Sequence, residues 1–374
     1  MAQRRSTPLR TPKSNKIHVH IKNALLLGNT KLLDRYLRRG GEPECPDRHG
    51  MTLLMVAAFY NQRAMLEKLL EAGANIHATH DDLRTALHFA LMDPETLPPL
   101  VRTPAGDVGY PKMPPETRDP GAMGEIARRL LEVGSSPDMA LDPARITIRT
   151  RSRLKTPLQL AVLQKNTALV RLLLDYGATP DSTDLMGTTP LMEAAQYAYT
   201  DIVKALLEAE ADPCVTRRDS KRALHLVMES LCTLTQDQRR HDERAKVTLN
   251  ADQWALLTQK HSLTIDMLIA HGARPDISTL GGDTALKLAI RAGLPSIFEL
   301  LLAHCKDLDQ MRFSNEGTLH VLLEQRLPQE TLVHMASLLL QAGADPQQTN
   351  KAGQSAVDIA TDKGQTWFLS LLSH

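Results

Sequence analysis

The chain has 374 residues, 42% apolar and 23% charged, which is more than one ordinary core uses and too apolar for disorder throughout. Its 44 Lys and Arg against 43 Asp and Glu leave a formal charge of +1, so no global field points to nucleic acid or an anionic membrane. No stretch approaches the roughly 18 uncharged apolar residues of a transmembrane span, and aromatic residues make up only 3%, which suits small stacked helices better than a β-sandwich.

The opening MAQRRSTPLRTPKSNK carries Arg4, Arg5, Arg10, Lys13 and Lys16 without an apolar core. It reads as a disordered basic tail over 1–16, not as a secretory signal. Cys45, Cys214, Cys232 and Cys305 are far apart, with no C-x-x-C spacing, and are expected to be reduced in an intracellular chain, cytoplasmic or nuclear.

From residue 17 the sequence repeats itself. Gly50-Met-Thr-Leu-Leu-Met-Val-Ala-Ala58 is followed by Leu69-Leu70-Glu-Ala-Gly73-Ala74. The same pattern returns as Thr156-Pro-Leu-Gln-Leu-Ala161 with Leu173-Leu174-Asp-Tyr-Gly177-Ala178, and as Thr189-Pro-Leu-Met-Glu-Ala-Ala195 with Leu206-Leu207. Counted from the Thr of each tetrapeptide, the origins are Thr52, Thr85, Thr156, Thr189, Arg222, Thr284, Gly317 and Ser355, with steps of 33, 71, 33, 33, 62, 33 and 38. A degenerate unit fits one period earlier, ending Tyr36-Leu37-Arg-Arg-Gly40. Each Thr is placed to cap a helix, and Pro157 and Pro190 fall in its first turn, where a missing N–H costs nothing. The Ala-Ala pairs admit close helix approach, the Leu-Leu pairs supply the apolar stripe, and the glycines from Gly40 to Gly343 suit left-handed helix termination.

Period, tetrapeptide and L-L-x-x-G-A ending together resemble the ankyrin repeat family, over residues 17–374 as about nine units. The resemblance implies an all-α solenoid of helix-turn-helix units with protruding hairpin loops. Glu210 and Cys305 stand at the helix-ending Gly position, and Arg222 and Gly317 replace the capping Thr.

Three segments depart from the period. An insertion at about 93–122 holds Pro94, Pro98, Pro99, Pro104, Pro111, Pro114, Pro115 and Pro120, which excludes regular helix and central strand; it reads as a solvated loop or a docking segment. A second, at about 231–262, contains the charged run from Asp237 to Lys246 and then Thr248-Leu-Asn-Ala-Asp-Gln-Trp254, a capped helix start. Both fall in the turn between the two helices of a unit. The third is a lengthened loop over 135–155, where Arg145, Arg149, Arg151, Arg153 and Lys155 alternate with other residues, as in an extended hairpin with one basic side.

No phosphate-binding loop, H-E-x-x-H, G-x-S-x-G or EF-hand pattern occurs. No cofactor, metal or catalytic residue is expected, and His88, His225 and His320 sit where a histidine bonds adjacent repeats. The resemblance implies recognition by hairpin tips, the residue before each Thr and the residues after Ala-Ala. Carried over, these are Arg48, Met51, Phe59, Tyr60, Arg84, Met92, Arg153, Lys155, Leu163, Leu185, Met186, Tyr197 and Lys221, an apolar stripe with a basic rim. The function expected is a non-catalytic scaffold, monomeric when free, that binds a protein with an acidic and apolar surface through its concave face. The alternatives are an adaptor that recruits a bound target to other machinery such as a ubiquitin ligase, and an enzyme hidden in an insertion.

Overall fold

A computed structural model describes residues 29–44, 46, 50–81, 83–92, 120–138, 155–239, 250–305 and 317–372. The tail 1–16, most of the Pro-rich insertion, the charged run beyond Arg239, and Arg48 and Arg153 lie outside them. Among the described residues there are seventeen helices and no strand, only an isolated bridge between Thr349 and Ser355. The chain divides into two compact units, Met1–Ser182 and Thr183–His374.

Unit 1 contains α1 (Thr30–Arg38), α2 (Leu53–Phe59), α3 (Arg63–Glu71), α4 (Ala86–Ala90), α5 (Pro120–Glu132), α6 (Pro157–Leu163) and α7 (Thr167–Asp175). Here α2 packs on α4 and α4 on α6, while α1 lies on α3 and α5 on α7. Unit 2 contains α8 (Pro190–Gln196), α9 (Thr200–Glu208), α10 (Ala223–Arg239), α11 (Ala251–Ala270), α12 (Ala285–Ala292), α13 (Pro295–Ala303), α14 (Thr318–Leu323), α15 (Gln329–Gln341), α16 (Ala356–Asp362) and α17 (Thr366–Leu371). One row runs α8, α10, α12, α14, α16; beside it α9 packs on α11, and α13, α15 and α17 pack one on the next; each helix of the first row also packs on its successor in sequence.

The repeated residues account for these elements one by one. Thr52, Thr156, Thr189 and Thr284 each accept the N–H three residues on at 3.2 Å, which satisfies a donor the helix itself leaves open. The first Leu of each pair, including Leu69, Leu173 and Leu206, is fully buried, as are Ala57, Ala161 and Ala194 on the short helices that face them. After α7 the chain reverses at Gly177, φ +82°, where the Gly177 and Ala178 N–H groups close on the Leu174 and Leu173 carbonyls at 2.9 Å. Glu210 takes the same place at φ +63° and makes the same pair of bonds, so the unit tolerates a side chain there at some backbone cost.

Much of the second insertion is helix. α10 runs 17 residues and α11 runs 20, against seven for α8. The start of α11 is fixed by Asn250, whose Oδ1 accepts from Gln253 N at 2.8 Å while Gln253 Oε1 accepts from Asn250 N at 3.1 Å.

The histidines tie helices to neighbouring hairpins. His225 Nε2 donates to the Ile277 carbonyl and His320 Nε2 to that of Gln354, each at 3.0 Å. Their Nδ1 atoms are then acceptors. Arg222 N–H reaches that of His225 at 3.3 Å, and in unit 1 the Thr85 N–H and hydroxyl meet His88 Nδ1 at 3.2 and 2.9 Å. Gly317 offers no hydroxyl, and the buried His320 Nδ1 has no hydrogen-bond partner. Gly317→Thr should supply that donor and a helix cap, because the backbone there (φ −66°) is open to any residue. The added Cβ would stand 2.9 Å from the ring nitrogen, so the ring must shift to admit it. A gain of about 1 kcal/mol is expected from a satisfied buried acceptor, read as a higher denaturation midpoint. Leu173→Ala should cost about 2–5 kcal/mol in the same measurement.

Unit 2 is also expected to lose stability in mild acid. Burial lowers the pKa of His225 and of His261 below the usual imidazole value of 6.5. His261 bonds only the Leu257 carbonyl, through Nδ1 at 2.8 Å, and its buried Nε2 has no partner. The unfolded chain takes up these protons below about pH 6.5 and the folded chain resists, so stability present above that pH falls as pH drops toward 5. Asp219, held down to about 2 chiefly by the Arg217 guanidinium, contributes only to losses at lower pH still. The melting midpoint should therefore decline between pH 7 and 5, and decline less in His261→Leu.

Candidate partner-binding surface

The residues singled out by repeat position separate by burial. In unit 1, Met51, Phe59, Tyr60 and Met92 are buried, none more than 8% exposed. Phe59 meets Tyr60 and Phe89 edge to face, with ring centroids 5.0 and 6.3 Å apart. Burial pushes the Tyr60 phenol pKa well above its ordinary value. Arg84 Nη1 donates to Met92 Sδ at 3.2 Å, which ties a hairpin residue to the end of α4. These side chains pack the unit. Leu163, the last residue of α6, is 40% exposed, and Lys155, just before the capping Thr156, is half-buried. Gln164 beside it donates to the Leu91 carbonyl.

In unit 2 the corresponding positions are open. Met186, on the hairpin ahead of α8, is 52% exposed, and Tyr197, at the end of α8, is 51% exposed. Tyr197 stacks on Tyr199, centroids 5.4 Å apart and planes 19° apart, which holds the ring without burying it. The hairpin is rigidly made. Asp184 Oδ1 accepts the N–H groups of Met186 and Thr188 at 2.8 and 2.9 Å, and the next hairpin joins it through Arg218 N–H to the Met186 carbonyl at 3.3 Å. Leu185 is half-buried between them. Lys221 is spoken for by Glu229 at 2.7 Å and Asp219 at 3.8 Å, so its charge is locally balanced. Arg218, on the same hairpin as Lys221, is exposed.

Among the described residues no three His, Cys, Asp or Glu side chains gather as metal ligands would, and no helix is long and apolar enough to cross a membrane. What these positions offer is shape, apolar area and charge.

Known proteins agree with this architecture. The family model described as ankyrin repeats (3 copies) matches residues 121–217, and that of a single ankyrin repeat matches 49–81. The putative ankyrin repeat protein YahD of Escherichia coli K12 is 31% identical over 172 residues, 44% of this chain and 83% of YahD. NF-kappa-B inhibitor delta of Mus musculus is 27% identical over 223 residues, 55% of this chain and 62% of that protein. Of three further relatives the chain spans only 6–41% of the length. The crystal structure of the Bcl-3 ankyrin repeat domain superposes with a TM-score of 0.48 at 21% identity, covering 67% of this chain and 93% of that one. With its helix pairs, capping threonines and repeat-linking histidines in place, the chain belongs to the ankyrin repeat family.

Proposed function

We propose that this chain is a non-catalytic binding module for another protein, and that hairpin tips and inner-helix ends do the recognising. The observation that carries the reading is the exposed pair Met186 and Tyr197, the second at a repeat position whose counterpart in unit 1, Tyr60, is buried. An aromatic ring held by a stacking partner loses little entropy on binding, and Met adapts to the surface it meets. In unit 2, Leu185 and Arg218 flank this pair, and Lys221 stands behind them. In unit 1, Leu163 and Lys155, with Arg48 and Arg153, are the candidate contacts. Partner chemistry follows: an apolar anchor with acidic neighbours. The likeness to a protein named NF-kappa-B inhibitor delta makes NF-kappa-B the first partner to try.

The test is surface plasmon resonance of the full chain against NF-kappa-B and against proteins recovered by crosslinking. Met186→Ala and Tyr197→Ala should each weaken binding by more than about 1 kcal/mol with the melting curve unchanged. Tyr60→Ala should behave oppositely, lowering the melting midpoint because a buried ring is removed. Full binding by both unit 2 variants would reject the surface.

A further inference from the structure

The face of α1 is not used by the reading above. Lys31, Arg35, Arg38 and Arg39 are all exposed. Their spacing puts them on one side of the helix, within about 12 Å along its axis. The acid among them, Asp34, is held by the neighbouring helix: Lys68 Nζ donates to its Oδ1 at 2.7 Å. None of the four cations forms an ion pair among the described residues. With Asp34 they line an open concavity of about 430 Å³, and Leu32, on the same helix, is 41% exposed.

The sequence before the helix supplies no counter-charge, and the first acids after it are Glu42 and Glu44. Residues 1–33 contain no Asp or Glu, and residues 1–41 hold ten Lys and Arg against one acid. Residues 42–374 hold 34 Lys and Arg against 42 acids. The near-neutral whole conceals a cationic beginning on an acidic remainder.

We propose that this face of α1 docks a short acidic segment of a partner protein. Three of the four cations are arginines, whose planar forks take carboxylates in pairs. No aromatic side chain lines the concavity, so bases would find nothing to stack on. An extended polyanion would run on over a remainder of like charge, whereas a short acidic segment engages the patch alone. Leu32 gives such a segment an apolar edge. The proposal shares with the proposed function an acidic protein partner; the residues differ, so either fails without the other.

The experiment uses the full chain and a fluorescein-labelled peptide with an uninterrupted run of glutamates, followed by fluorescence anisotropy at low and high salt. A duplex DNA of equal charge is run beside it. The peptide should bind, more weakly as salt rises. Arg35→Glu with Arg38→Glu should weaken it about tenfold, while reversing two other exposed cations, Arg128→Glu with Lys204→Glu, changes little. If the reversal disturbs the melting curve, Arg35→Gln with Arg38→Gln decides, with a smaller loss expected. No binding of the peptide, equal losses in both pairs of variants, or tighter binding of the DNA through the same arginines would overturn the proposal.

Discussion

No helix pair in this chain can bury its own apolar side. Leu69, Leu173, Leu206 and Leu339 reach full burial only because a neighbouring pair closes over them. Stability within each unit is therefore a sum of contacts between sequence neighbours, and each pair must present the right spacing to the next. The small residues opposite those leucines set how near the neighbours come. Every other feature, from the caps to the exposed tips, depends on that spacing being kept.

The polar groups keep it. The residue that caps a short helix also faces the ring or amide three positions on, and that ring reaches across to the next hairpin. In the His225 unit one side chain thus joins helix start, helix body and neighbour, whereas His320 joins helix body and neighbour alone. Lys287, at the same place beside Thr284, is buried and turns its ammonium to the Gly282 carbonyl at 3.3 Å, a bond inside its own hairpin. The position tolerates different chemistry, since Met55 and Met192 fill it after Thr52 and Thr189, both buried.

All eight repeat origins from Thr52 to Ser355 stand one residue before a helix. Capping is local, so the sequence around each origin contains the whole instruction. Exposure is not local. Tyr60 and Tyr197 hold the same place in their repeats, eight residues after the origin, yet one is 5% and the other 51% exposed. Phe59, Met92 and Leu163, one place earlier, are 8%, 8% and 40% exposed. What lies over such a position comes from another repeat, and a pattern read along one repeat does not contain it. The cations of α1 were legible in principle from their helical spacing, but they sit in the most degenerate repeat, where the pattern draws attention to the fold.

The lengthened pair α10 and α11 shows where this architecture accepts new chain. The added residues enter at the turn between the helices, far from the caps and the paired leucines, and α10 still packs on α8 and α12 as its shorter counterparts do on theirs. Growth at that point is uncoupled from the contacts that make neighbours fit. Surface can therefore be added, changed or lost there, as with Leu256 and Leu263 now facing solvent on α11, while the rest of the row keeps its register. Such a chain can diversify what it presents to the cell at one turn of one repeat, and the inherited framework is under no pressure to answer.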